Sequence, residues 1–499
     1  MTRPQTLRPL LAAVCVASLL AGCATVGPDF KAPQVPAADH YAQAGDDPIT
    51  APGLKTSIGE KVISDWWTLF KSPGLNELMR EAIAASPTLE QARAKLAQAR
   101  DAEGAEGGLL TADLTAGVKR SELNLNAFSG GAFSSISVPG LSLGTNPTYN
   151  LYSIGGAVSY NFDLFGGQRR LRESLKARAD EQARELDAAY LTLTGNVVKQ
   201  VLTIADANIQ MAAMRDIAAD DQNDLDMIVR ARKAGGASDA DVEAARGQLA
   251  TDVSEIPYQR QRWVAARHAL AVLVGRSPTD FSPPDFDANS GSLPDSLPVS
   301  LPSALVHDRP DILEAEAKLH AATAEIGVAT ADLYPNITLN ASLGQDALTP
   351  QTIFSKTATS WAFGPALTVP IFHSGELRAR KREAEDAARA ELAAYEQTVL
   401  EAFAQVDDLL QAIEHDNQTY AEQTKALIAA QNRVNMSRKG FAAGGVSARD
   451  LLSDEQTVRR ARLTLQNQGT GRYSDAALLL LAVAGVPKGA TDRIETAGR

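Results

Sequence analysis

Two serine-aspartate pairs, Ser238-x-x-Asp241 and Ser447-x-x-Asp450, are the most chemically suggestive feature of this 499-residue chain. Each follows a double glycine, Gly235-Gly236 or Gly444-Gly445, with the serine three and the aspartate six residues after the first glycine. Glycine takes the left-handed conformation that ends a helix, and Ser-x-x-Asp has the capping-box spacing that starts the next one. The same carboxylates, brought close to others of their kind, would repel one another and gather cations. Other candidates for chemistry are scattered. Six histidines (His40, His268, His307, His320, His373 and His415) form no H-E-x-x-H motif, and there is no cysteine cluster for a metal. There is no G-x-S-x-G elbow, P-loop or dinucleotide fingerprint. The expectation is a protein without catalytic residues, cofactor or metal, in which His320 and His373 make ordinary polar contacts.

The N-terminus carries a different signal. Arg3 and Arg8 precede an apolar run from Leu10 to Leu20 and then "LAGC", ending at Cys23. The run is too short for a membrane-spanning helix and has the form of a bacterial export signal. A cysteine directly after small residues resembles the lipobox of bacterial lipoproteins, so residues 1–22 are expected to be removed and Cys23 lipidated. With Arg3 and Arg8 gone, 48 basic residues become 46 against 60 acidic ones, a balance of −14 that disfavours nucleic acid. Cys23 would then be the only cysteine, and no disulfide could form within one copy.

The elements that must position the serine-aspartate pairs are written twice. "SPTLEQARAKLAQAR" (Ser86 to Arg100) matches "RPDILEAEAKLHAAT" (Arg309 to Thr323) at an offset of 223, "FDLFGGQRR" answers "VPIFHSGELRAR", and the glycine pairs follow in the same order. This predicts a tandem duplication: residues 61–276, a proline-rich linker 277–303, and residues 304–486. A proline- and aspartate-rich tether, 23–60, precedes it and a tail, 487–499, follows. Pro87 is expected in the first turn of a helix capped by Ser86. Each half contains a β-hairpin, about 113–165 and 336–372, then a long helical hairpin, about 168–274 and 375–485. "NITLNASLG" (Asn336 to Gly344) alternates apolar and polar residues as a half-buried strand does. From Gln168 to Lys233 one α-helix would span roughly 100 Å, and Pro257 is a candidate kink in its returning partner.

Four strands of about ten residues can cross a bilayer when tilted, but their open edges cannot stay unpaired in lipid. Closure takes about eight strands or more, so one copy cannot make a barrel, while three would supply twelve. A small water-soluble sheet packed on helices is the alternative left open by these patterns.

"LAGCATVGPDF", "DWWTLFKSPGLNELMREAI", "LPSALVHDRPDILEAEAKLHAATAEIGVATADLYPNITLNASLG", "VPIFHSGELRAR" and "AAYEQTVLEAFAQVDDLL" resemble the TolC-like outer membrane factor family, in its lipoprotein (NodT/OprM-type) efflux branch. The resemblance covers nearly the whole mature chain, and the "RPDILEAEAKL" block is its most specific part. It implies a mainly α fold with a membrane β-barrel: a homotrimer with a twelve-stranded outer-membrane barrel and a twelve-helix periplasmic tunnel. It further implies a periplasmic membrane fusion (adaptor) protein and an inner-membrane resistance-nodulation-division pump as partners, and a passive channel for small molecules. By the same resemblance Asp241, Asp450 and Phe441 belong to a periplasmic gate. Gly235, Gly236, Ser238, Gly444, Gly445, Ser447 and Arg449 would form the tip turns and adaptor contact. Where the family pattern has a basic residue two after the glycine this chain has Val446, which leaves Arg449 or Arg232 as substitutes in any salt bridge there. A protein-secretion channel of the same fold and a periplasmic coiled-coil scaffold lipoprotein are the rival readings; the strand alternation at 336–344 counts against the scaffold.

Overall fold

A computed structural model describes residues 25–34, 41, 54–106, 108–122, 148–287 and 290–486. Cys23, the signal segment and residues 123–147 and 487–499 lie outside the described residues. In chain order the elements are β1 (Lys55–Ile58), α1 (Pro73–Ala85), α2 (Pro87–Ala105), β2 (Leu110–Glu122), β3 (Thr148–Asn161), α3 (Gly167–Lys233) and α4 (Asp239–Leu273). Then follow β4 (Ser296–Val299), α5 (Pro302–Asp308), α6 (Pro310–Ala331), β5 (Asn336–Ala347), β6 (Thr359–Thr368), α7 (Glu376–Ala442) and α8 (Ala448–Val483). The expected order of helix, hairpin and helical hairpin therefore occurs twice.

The chain divides into two compact units, the first made of Met1–Lys31, Ala99–Ala179 and Lys318–Leu392 and the second of Ala32–Gln98, Asp180–Ala317 and Ala393–Arg499. The first unit holds a four-stranded sheet in the order β2-β3-β5-β6, antiparallel throughout. The pairing β3-β5 joins the hairpin of one repeat to that of the other.

The second unit holds the apolar core. Trp66, Phe70, Met79, Leu89, Leu186, Leu270 and Leu480 are buried together there. Both α3 and α7 have 67 residues; they are rich in Ala, Glu, Arg and Gln, which lose little in a helix, and contain no proline to interrupt the hydrogen-bond ladder. Pro257 lies inside α4 without ending it.

Two local expectations are corrected. The tether and the linker are not merely extended: β1 from the first pairs in parallel with β4 from the second, Lys55 opposite Ser296 through Ile58 opposite Val299. This buries Leu297 and Val299 fully. Four-residue strands give little periodic signal in sequence, and their register partners stand 241 residues apart. Ser86 does not cap with its side chain: its Oγ, buried, has no hydrogen-bond partner, and its carbonyl accepts the Glu90 N–H at 3.2 Å. The serine that caps is Ser72, which accepts the Leu75 N–H ahead of α1.

Candidate functional site

The sheet has two chemically distinct faces because strand side chains alternate. In register on one face lie Leu110 and Tyr160, Ala112 and Val158, Ala341 and Phe363, and Leu343 and Trp361. The other carries Thr111 and Ser159, Thr338 and Ala366, and Ser342 and Ala362. Small and polar side chains bond across that second face, as from Ser159 Oγ to Asn340 Oδ1 at 2.8 Å and from Ser360 Oγ to Asp346 Oδ2 at 2.8 Å. The apolar face is bare: Leu114 is 81% exposed and Trp361 76%. A water-soluble sheet would cover such a face, since exposed apolar patches of this kind mark contact with another protein or with lipid. Among the described residues strands β2 and β6 each have only one neighbour, which leaves both edges open there. Among the described residues no helix is long and apolar enough to cross a membrane.

In the same unit the residues just after Cys23 are strapped to the start of α3. The Val26 N–H donates to the Phe165 carbonyl at 3.0 Å. The buried Arg170 donates to the Val26 and Gly27 carbonyls and reaches Asp29 and Glu173 at 2.7 Å each. Phe30 stacks on the His320 ring at 4.3 Å, and His320 Nε2 is 3.0 Å from Glu173 Oε1. Burial alone would push the Glu173 carboxyl up, but hydrogen bonds from Arg170 and His320 outweigh it and hold the group below the usual range. Gly27 has φ +89°, and a Cβ there would stand 2.5 Å from the Gly327 backbone. His320 thus makes the polar contact expected of it, on a strap that sequence patterns did not show.

The two tip turns, both in the second unit, are built alike. Gly235 and Gly444 have φ of +83° and +79°. The Gly236 N–H donates to the Ala231 carbonyl at 2.8 Å and the Gly445 N–H to the Gly440 carbonyl at 2.9 Å, the six-to-one bond that closes a helix C-terminus. A Cβ on Gly235 or Gly444 would meet nothing within 4 Å, so only the backbone conformation requires glycine. Ser238 and Asp241 form a complete capping box, and Ser447 Oγ accepts the Asp450 N–H at 3.1 Å while donating to Asp450 Oδ2 at 2.7 Å. The Ser238 backbone and hydroxyl bonds hold the Asp241 carboxyl below the usual range, with a smaller contribution from the charge of Arg449. Arg232 is ion-paired with Asp239. Phe441, half-buried, packs against the apolar residues of both turns, among them Ile228, Val242, Leu451 and Leu452. Each aspartate is thus held by its own serine, and at the turns themselves Phe441 packs against apolar residues of both hairpins.

Fourteen residues before Gly235, about 20 Å along α3, lies a charged cluster that sequence reasoning missed. Arg459 of α8, nearly fully buried, reaches Asp221 at 2.9 Å and Asp224 at 3.3 Å on α3. Beside it Arg433 pairs with Asp454 at 2.7 Å, and Arg438 with Glu455. Burial, with a hydrogen bond to Asp252 of α4, pushes the Asp221 carboxyl up to about 7. Burial likewise raises Asp224 and Glu455. Charges on long helices read in sequence as a solvated face, and nothing in their spacing separates the buried ones.

The outer membrane efflux protein family matches residues 78–276 and 301–486, well over half of the chain. Nodulation protein T of Rhizobium leguminosarum bv. viciae is 28% identical over 493 residues, covering 97% of this chain and 95% of that protein. The probable outer membrane lipoprotein SilC of Salmonella typhimurium is 27% identical over 470 residues, 94% of this chain and 96% of that one. The solved structure of the outer-membrane channel OprN superposes with a TM-score of 0.81 at 25% identity, covering 93% of this chain and 99% of that one. The first matched segment begins 17 residues inside the expected first repeat, the second spans residues 304–486, and the bare apolar sheet is what a channel in a lipid bilayer requires. The chain belongs to the outer membrane efflux protein family.

Proposed function

We propose that three copies of this chain assemble into a passive exit duct, in which the twelve strands close as an outer-membrane barrel and the helical hairpins form a water-filled periplasmic tunnel. The single observation that carries this reading is the sheet with a bare apolar face, a small polar opposite face and two open edges. Open edges in hydrocarbon cost several kcal/mol for each unsatisfied group, and closure with further copies removes them. Lipid would take the outward face and water the inner one. No step of bond chemistry is assigned to the chain; energy and substrate selection come from an inner-membrane pump joined to it by a periplasmic adaptor at the tip turns. Cys23 carries the lipid anchor, and the cargo is small molecules.

The aspartates at the tip serve two roles in this reading. They fix the turns through Ser238 and Ser447, and as ionised groups around the threefold axis they give the closed end its preference for cations. Phe441 closes the packing between hairpins, so that widening the tip requires its displacement. The test is single-channel recording in planar bilayers of the wild type and of the D241A/D450A double variant. Higher conductance or weaker cation selectivity is expected; unchanged current and selectivity would reduce both residues to helix caps.

A further inference from the structure

Two helix ends in the first unit stand beside the open edges of the sheet: the end of α2 from Ala99, and the start of α7 up to Leu392. Residues 106–109 lead from α2 into β2, and residues 369–375 lead from β6 into α7. Strand direction alternates across the order β2-β3-β5-β6, so β2 and β6 run oppositely. Because α2 enters one edge strand and α7 leaves the other, both helices meet the same end of the sheet. Pairing β6 of one copy with β2 of the next therefore brings α7 of the first beside α2 of the second, in opposite chain directions.

Within one copy these two helix ends are poorly covered. None of residues 376–387 is buried, and the half-buried ones, Leu377, Lys381, Ala384 and Glu385, follow one helical stripe. Residues 99–105 behave alike: Ala99 and Glu103, four apart, are half-buried and the rest are exposed. Each helix thus touches its own chain along a single stripe. The exposed positions include Ala102, Gly104 and Ala105 on α2 and Ala379 and Ala387 on α7, which are small enough to let two helices approach closely.

The charges at the two ends are of opposite sign. Residues 101–106 hold Asp101, Glu103 and Glu106 and no base, whereas residues 376–382 hold Arg378, Arg380, Lys381 and Arg382 against Glu376 alone. Further from the sheet the sign reverses on both helices, at Arg100 and at Glu383. Arg380 pairs with Glu376 at 2.7 Å and Lys381 with Glu385 at 3.4 Å inside α7. Asp101, Glu106, Arg378 and Arg382 are exposed and have no ion-pair partner among the described residues. We propose that Asp101 and Glu106 of one copy face Arg378 and Arg382 of the next, a charge-matched junction of antiparallel helices directly beneath the barrel. Exposed ion pairs add little affinity, but like charges brought together are costly, so the junction fixes which helices adjoin and in what register. The inference rests on the three-copy reading above and gives that assembly a contact below the strands.

The test extracts the full-length protein from membranes in mild detergent and reads the trimer fraction on native gels. Asp101→Arg with Glu106→Arg should lower that fraction by roughly threefold or more, and Arg378→Glu with Arg382→Glu should do the same. All four changes together should return it to the wild-type level, which damage to folding would not do. A second measurement stands apart from stability: Asp101→Cys with Arg382→Cys, treated with a short bis-maleimide, should give covalent dimers and trimers on denaturing gels, and neither single variant should. A trimeric wild type whose cysteine pair gives no cross-linked species would overturn the junction and leave the barrel in place, as would charge reversals that leave the trimer fraction unchanged. A monomeric wild type would overturn both.

Discussion

Replacing Asp221 with asparagine should change how the stability of the charged cluster depends on pH, by an amount that follows from its surroundings. In the folded chain this carboxyl is pushed up to about 7 from an ordinary value of 3.8 by burial and by Asp252, against the attraction of Arg459. Between those two values the folded state holds the proton more tightly than the unfolded one. The stability tied to Asp221 is therefore full below about 3.8, falls as pH rises through the window, and levels off above about 7. At about 1.4 kcal/mol per pH unit the whole window sets a ceiling of about 4 kcal/mol, of which about 3 lies between pH 5 and pH 7. Asparagine keeps a neutral hydrogen-bonding group at every pH, and Arg459 retains Asp224 at 3.3 Å. Asp224 and Glu455, whose carboxyls are also raised, titrate in both proteins, so the difference reads Asp221 together with its coupling to Asp252 and Asp224. Hydrogen exchange of the α8 amides around Arg459, corrected for the pH dependence of intrinsic exchange, reads the local opening free energy. The gap between Asp221→Asn and wild type should widen by up to about 3 kcal/mol from pH 5 to pH 7 and then stay constant. Parallel curves across that range would refute the reasoning.

Further expectations concern the other sites. Leu343→Arg places a charge on the apolar face of the sheet and should cost roughly 2–4 kcal/mol if that face meets the bilayer midplane; membrane assembly followed by heat-modifiable gel mobility should fall, while Ser342→Arg, on the other face, should assemble. Gly27→Ala forces a side chain into the Gly327 backbone at a left-handed φ; limited proteolysis should cut the strap near Thr25 several-fold faster than in wild type. Ser447→Ala removes the cap of α8 and should cost about 1 kcal/mol of local stability, read as faster amide exchange over its first turn.

Much of this architecture was legible because its signals are repetitive. The offset of 223 between "SPTLEQARAKL" and "RPDILEAEAKL" marks the duplication, and both segments are helices that lead into strands. The tip turns were legible to the residue, since left-handed glycine and Ser-x-x-Asp capping are local rules. What escaped reading depends on distant partners. Lys55–Ile58 is a strand only because Ser296–Val299 lies beside it, and "ATVGPDF" carries no periodicity to announce that Arg170 binds its carbonyls. Asp221 and Arg459 look like any other charges on a helix until three helices bury them. Ser86 shows the opposite failure, a correct local signal for a cap whose hydroxyl the packing leaves without a partner.

Among the described residues one copy leaves its sheet open at β2 and β6. Native mass spectrometry of the mature protein, released intact from nanodiscs, counts the copies that close it. A species of three copies, with twelve strands in all, is the predicted result; a monodisperse monomer would contradict the barrel and with it the channel.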